Sequence, residues 1–442
     1  MSKTIKFFKE IAKIPRESGN ESGIAKYLCD FAKKRNLEYY IDKYNNVLIK
    51  KNTSNSIPLI LQAHTDMVCV SIDDFDFTTN PIEVIEDNGY LHANNTTLGA
   101  DNGIGVAQIL NILDSDIPVN IEAVFTVSEE TTMVGAENFD TTKLTSKYLL
   151  NLDGFDENEI IIASAAYYDL EMDITPNTTP SKYQNTYKIT LSGLPGGHSG
   201  YDIDKNRGNA IIMLAEFLKS FNIELISIKG GTKNNVFPTK AEAILNTDEE
   251  INPETFINKY KSTYSNLKIE VIKTNFSNKV LDNTQNLLVF ISNFPSKALN
   301  YNEHNEPTTS LNLGVINNGH LEVGMRSSIK NEANNALEML DTYCNKNNFK
   351  LKNVGYQPGF YSSNSSPLIK KLIETCPYEP KCQAKSLHIT VEAGFFQESI
   401  PGLEIAIISP NIKDAHSPNE RVSIKSIEMT DKWLEEFIKA FK

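Results

Sequence analysis

Leu59-Ile60-Leu61-Gln62-Ala63-His64-Thr65-Asp66 is an apolar run, opened after Pro58, that stops at a histidine and an aspartate two positions apart. Its length suits a strand covered on both faces. In open α/β sheets, reactive groups gather just past the carboxyl ends of such strands. If the strand continued, His64 and Asp66 would share one side, so one can hold a metal while the other orients it. Taken alone, a His-x-Asp pair points to a surface loop. The motifs further along the chain decide between the two.

Asn95 to Gly105 places Asp101 in a Gly-rich turn, and Val106, Ile109, Leu110 and Leu113 then repeat at helical spacing. Asp101 therefore sits at a helix start, where an ordinary N-cap aspartate is the plain alternative. Ile121 to Val127 reads as a strand running into Ser128-Glu129-Glu130, which by itself suits a solvated surface. Tyr148 to Leu152 is another apolar run ending in Asp153-Gly154, and Ile405 to Pro410 precedes a turn-rich loop carrying His416-Ser417-Pro418-Asn419-Glu420. An acid or imidazole falls repeatedly where an apolar strand stops. His64, Asp101, Glu130, Asp153 and His416, with Glu129 spare, are what two borderline-soft divalent cations need. The inventory fits a two-zinc hydrolase in which a shared carboxylate holds the ions roughly 3.5–4 Å apart.

These stretches carry a family resemblance. The sequence resembles the aminoacyl-histidine dipeptidases (Xaa-His dipeptidases, carnosinase-like) of the co-catalytic zinc aminopeptidase and carboxypeptidase superfamily. The matches are Ile14 to Glu21, Leu61 to Val68, Thr96 to Gly105, Ser128-Glu129-Glu130, Gly196-Gly197-His198-Ser199-Gly200 and His416-Ser417-Pro418, spread over almost the whole chain. The resemblance implies that His64, Asp101 (bridging), Glu130, Asp153 and His416 ligate the metals, that Asp66 orients His64 and that Glu129 is the general base. It implies that His198 stabilises the oxyanion and that Asn235, Arg326 and Gly394 bind substrate. A guanidinium suits a peptide's terminal carboxylate because it grips two oxygens at once. On the residues alone, His198 fits an incidental histidine in a Gly-rich turn, and Arg326 fits a surface ion pair. The chain departs from the family at Phe360, where the pattern has Pro-Gly-Trp, and at Ala393, where it has Glu-Cys-Gly around Glu392 and Gly394.

Composition agrees with such an enzyme. A chain of 442 residues with formal charge −13 lacks the clustered basic footprint that nucleic acid requires. No stretch approaches the ~18–20 apolar residues of a membrane span, and the amphipathic start has no signal-peptide core. Five cysteines without Cys-x-x-Cys spacing suggest a reducing compartment, hence the cytoplasm. Cys69, near the expected site, reads as a small buried hydrophobe. His92 reads as structural, and His304 and His320 as exposed.

In order, two core helices around Ile5–Ala12 and Ile24–Phe31 precede a hairpin about Asn45-Asn46. A shift to Pro, Thr, Ser and Asn over Thr175–Tyr183 marks a boundary. The next elements follow a split βαβ rhythm that nearly repeats. The expected fold is α/β, a mostly parallel catalytic sheet (1–184 and 357–442) with an inserted α+β, ferredoxin-like and doubled lid (185–356). A helix from Ile424 to Phe441 closes the chain.

The expected function is hydrolysis of Xaa-His-type dipeptides with two zinc ions, manganese or cobalt being compatible with the same donors. A small peptide is the partner, and a homodimer is compatible, with His198 acting in its own subunit or a neighbour's. A di-metal aminotripeptidase and an N-acyl amino acid amidohydrolase use the same inventory on other substrates. An inactive metal-binding scaffold is a reading of another class. Nucleotide binding at the turn near Asp101 lacks both Gly-x-Gly-x-x-Gly and a P-loop lysine.

Overall fold

A computed structural model describes residues 2–173 and 177–441. The chain forms two compact units, one of residues 1–164, 358–387 and 391–442, the other of 165–357 and 388–390. The boundary expected at 184/185 thus falls inside the second unit, and Thr175 and Pro176 lie outside the described residues.

The first unit is built on a mixed eight-stranded sheet. Its central strand, Leu59–His64, is buried at every position, which is why it reads as a continuous apolar run rather than an alternating one. It runs parallel to Asn120–Thr126 on one side and Tyr148–Asn151 on the other, with His64 opposite Thr126 and Gln62 opposite Asn151. Strand Glu404–Ile407 continues the parallel set beside Tyr148–Asn151. Parallel pairing brings the carboxyl ends of these four strands to one edge, and each leads into one of the motifs containing His64, Glu129-Glu130, Asp153 or His416. The hairpin at Asn45-Asn46 joins antiparallel strands Glu38–Ile41 and Val47–Asn52.

Helices cover the sheet. Lys3–Ile11, capped by Ser2 Oγ accepting from Ile5 N at 3.1 Å, buries Ile5, Phe8 and Ile11. Helix Ile424–Ala440 buries Trp433, whose indole N–H donates to Leu372 O at 3.1 Å. A small sheet pairs Ile412–Lys413 with Arg421–Ser423 and the latter with Tyr90–His92. It clamps both ends of the loop carrying His416, and His92 serves there as a strand residue, as its sequence context suggests.

The second unit holds a nine-stranded antiparallel sheet. Its helices include Ala210–Leu218, Glu254–Tyr260, Thr284–Ser292 and Lys330–Lys346. Asn209 caps the first of these through bonds from Ile211 N and Ile212 N. Hairpin strands Pro307–Asn317 and His320–Ser327 set Ser310 opposite Arg326.

Three details differ from the sequence expectation. Cys376 and Cys382 are joined as a disulfide, whereas the cysteine count suggests free thiols. His320 is half-buried and its Nδ1 lies 2.7 Å from Asp173 Oδ1, because the strand register turns it toward that acid. Gln383–Leu387, too polar to signal a strand, pairs in parallel with Glu159–Ser164 at the sheet edge.

Candidate metal centre

His64 projects from the end of the central strand, only 1 % exposed. Its Nε2 lies 3.1 Å from Asp101 Oδ1 and 3.6 Å from Asp153 Oδ1. His416 Nε2 lies 3.0 Å from the other Asp101 oxygen, Oδ2, and 3.0 Å from Glu130 Oε1. The carboxylate of Asp101 is therefore divided, one oxygen turned to each imidazole. Two ligands of one tetrahedral zinc, each ~2.0–2.2 Å from the ion, stand about 3.3 Å apart, so these spacings suit two ion positions. Glu129 stands close by: donor atoms of His64, Glu129 and Asp153 lie within 4.8 Å of one another.

The local sequence explains the placement. Gly99 adopts φ 69 at the turn before Asp101, and a Cβ there would stand 2.4 Å from Arg16 Nη2. Regular helix begins only after Asp101 and Asn102, both of which are non-helical. Ser128, φ 56, and His416, φ 61, adopt left-handed backbone that non-glycine residues rarely take, and such conformations gather at working sites. Ser128 is held by Glu21, whose Oε1 accepts from both its N–H and its hydroxyl at 3.0 Å.

Asp66 lies beneath the cluster. Its Oδ1 is 3.3 Å from His64 Nδ1 and accepts from Glu129 N at 3.0 Å. Its Oδ2 accepts from Glu130 N at 3.1 Å and from Ser18 Oγ at 2.7 Å. One buried carboxylate thus stands beside the imidazole and fixes the turn presenting both glutamates. Asp66→Asn should lower affinity for a divalent cation by roughly 10–100-fold, the usual cost of losing a group that orients a metal ligand. Calorimetric zinc titration of the two proteins is the check.

Charge tests whether these residues suit a cation. The buried carboxylates of Asp66 and Asp101 and the half-buried ones of Glu129, Glu130 and Asp153 face two imidazoles, and uncompensated charge withdrawn from water is costly. Burial pushes Asp153 up to about 6 and holds Glu129 well above the carboxylate range, against the pull of His64 and with the repulsion of Asp153 and Glu392. Hydrogen bonds to Asp101 and Glu130 carry His416 up to about 11. Without a metal, protons must balance the excess of acids, and a divalent cation can take their place. Imidazole nitrogens with carboxylate oxygens suit zinc, manganese or cobalt.

Two residues that the motif reading did not assign complete the frame. Arg16, 2 % exposed, donates to Thr65 O and Asp66 O at 3.0 Å and to Gly99 O at 2.5 Å. Glu420, also 2 % exposed, accepts from the backbone N–H of Leu98, Gly99 and Asp101 at 2.8, 2.9 and 3.2 Å. The signal for each lay inside a motif: Arg16 in Ile14–Glu21, Glu420 four residues past His416. Glu392 is wholly buried, accepts from Gln62 and, at 2.7 Å, from Thr126 Oγ1, and is pushed by burial up to about 7. A Cβ on Gly394 would stand 2.1 Å from Pro358 O, so this glycine lets the chain close against that turn. Cys69 is half-buried, and burial pushes its thiol up to about 12.

In the second unit, His198 and Arg326 meet, with Arg326 Nη2 3.3 Å from His198 Nε2. Burial and Arg326 bring His198 down to about 4, so its ring is neutral. Asn235 O accepts from Ser199 N at 2.9 Å, while its buried Oδ1 has no hydrogen-bond partner among the described residues.

Known proteins resemble this chain in sequence and in fold. The model of peptidase family M20/M25/M40 matches residues 60–440. The chain is 29 % identical to the cytosol non-specific dipeptidase of Escherichia coli K12, over 95 % of this chain and 93 % of that protein. Its structure is similar to that of aminoacylhistidine dipeptidase from Vibrio alginolyticus, with TM-score 0.86, 28 % identity and coverage of 99 % and 96 % of the two chains. A Staphylococcus aureus tripeptidase shares the fold at TM-score 0.59 and 17 % identity, over 99 % and 98 % of the chains. The protein is a peptide-bond hydrolase, and it belongs to peptidase family M20/M25/M40.

Proposed function

We propose that this peptidase hydrolyses Xaa-His-type dipeptides with two divalent cations, with His64, Asp101 and Asp153 holding one and His416, Asp101 and Glu130 the other. The observation that carries this reading is the divided carboxylate of Asp101, with one oxygen at 3.1 Å from His64 and the other at 3.0 Å from His416. The names of the Escherichia coli and Vibrio alginolyticus proteins, both dipeptidases, support the substrate class.

When bound, the cations would polarise a carbonyl and bring the pKa of a water down toward ~7. Glu129 takes the proton of the attacking water and passes it to the leaving amine. Its buried, acid-crowded surroundings raise its proton affinity and fit it for that exchange. Asp66 keeps His64 turned with Nε2 toward the acids. On the family resemblance we assign His198 as oxyanion donor, and Asn235, Arg326 and Gly394 as substrate-binding residues. Among the described residues no helix is long and apolar enough to cross a membrane, and we propose a cytoplasmic enzyme.

Chelation should abolish turnover, and zinc, manganese or cobalt should restore it. Xaa-His dipeptides should be cleaved with higher kcat/KM than other dipeptides, and tripeptides and N-acyl amino acids poorly. A preference for tripeptides or N-acyl amino acids would replace this reading with an aminotripeptidase or an amidohydrolase. Undiminished turnover after complete metal removal would refute the metal assignment.

A further inference from the structure

The second unit contains its own concentration of buried polar groups. Arg326, 5 % exposed, donates from Nη1 to Thr390 Oγ1 at 3.2 Å, and its guanidinium carbon stands 4.7 Å from the centroid of the Tyr167 ring. No carboxylate of the described residues pairs with it. Its Nε, the hydroxyl of Tyr167, Asn235 Oδ1 and His388 Nδ1 are all buried without a hydrogen-bond partner among the described residues. Buried polar groups are nearly always paired in proteins, so the unpaired atoms near this guanidinium that can donate, its own Nε, the Tyr167 hydroxyl and His388 Nδ1 when protonated, suit an anionic ligand.

His388 had no expected role. It belongs to the three-residue segment His388-Ile389-Thr390, which groups with the second unit although it follows the return to the first. Ala165 secures this segment, its N–H donating to Ile389 O at 2.9 Å and its carbonyl accepting from Thr390 Oγ1 at 2.8 Å. The imidazole is fixed from the sheet: Ser310 Oγ lies 2.7 Å from His388 Nε2, and Ser310 is the cross-strand partner of Arg326. When the Ser310 hydroxyl donates to Nε2, the ring carries its proton on Nδ1, the atom without a partner. Burial, Arg326 and His198 bring this imidazole down to about 3, so it remains neutral.

We propose that His388, held in one tautomer by Ser310, is a specificity-determining residue that donates its Nδ1–H to the terminal carboxylate of the peptide beside Arg326. A second cation there would repel Arg326. A neutral donor adds a directed hydrogen bond while the subsite keeps a single positive charge to match a single carboxylate. Recognition then rests on hydrogen bonds that a blocked terminus cannot complete, the kind of site that rejects an analogue strongly. The role of His388 depends on the dipeptidase reading only for the identity of the carboxylate.

The test compares a dipeptide with its C-terminal amide on His388→Ala, His388→Asn and Ser310→Ala, with thermal unfolding to establish folding. His388→Ala should raise KM for the free acid by about 10–100-fold, the range of a hydrogen bond to a charged group, with kcat nearly unchanged. The amide should be a poor substrate, and equally poor with both proteins. Asparagine carries an N–H near the position of Nδ1, so His388→Asn should recover part of the loss. Ser310→Ala should fall between wild type and His388→Ala.

Equal losses on acid and amide, or a fall in kcat at constant KM, would overturn the proposal. Calorimetric binding of the free amino acid against its amide reads the same subsite without turnover. If the wild-type protein cleaves no dipeptide, the functional reading fails, and the binding ratio still decides on His388. A ratio unaffected by His388→Asn and His388→Ala would refute the role.

Discussion

Asp101→Asn should cost the enzyme its metal pair and lower kcat/KM by more than about 10³-fold, because a water without the cations reverts from a pKa near 7 toward 15.7. Asp101 has one oxygen at 3.1 Å from His64 Nε2 and the other at 3.0 Å from His416 Nε2. An amide keeps the shape but replaces one oxygen with a donor, so it can face one ion and not two. Zinc per chain, measured on protein freed of loose metal, should fall from two to at most one. Backbone support should survive, since Glu420 holds the turn through the N–H groups of residues 98, 99 and 101 rather than through the Asp101 side chain. Two retained ions would show that Asp101 is not shared.

Glu129→Gln separates proton transfer from metal binding. Glutamine keeps the size of the side chain and the bond from residue 129 N to Asp66 Oδ1, so metal content should match wild type. Loss of a positioned base costs roughly 10²–10⁴-fold in kcat. The alternative is specific, because His64, Glu129 and Asp153 also stand close enough to hold an ion by themselves. If Glu129 is a ligand, the variant loses an ion together with activity. If turnover stays at the wild-type level, another group accepts the proton, and Glu392, buried and pushed up to about 7, is the next to replace.

The first unit was legible because its central strands are buried on both faces, so Leu59–His64 and Tyr148–Asn151 stand out as apolar runs that stop at chemistry. His64, Glu130 and Asp153 lie at or just past strand ends, whereas Asp101 is marked by its Gly-rich turn and His416 by its loop. Gln383–Leu387 was missed because an exposed edge strand is under no pressure to be apolar. Arg16 and Glu420 escaped assignment because they act through backbone groups of distant turns, a relation that spacing within one motif does not encode. His388 was invisible for the same reason: its partners, Ser310 and the neighbourhood of Arg326, are remote in sequence. The pairing of Cys376 with Cys382 likewise depends on how the chain folds between them, not on a recognisable spacing.

The central claim is that one aspartate is shared between two cation positions, each with its own imidazole. A crystal structure of the zinc-loaded protein, with anomalous data at the zinc edge, tests it most directly. The account predicts two anomalous peaks, one contacted by His64, Asp101 and Asp153 and the other by His416, Asp101 and Glu130. A single peak, or a pair in which Asp101 touches only one ion, would contradict it.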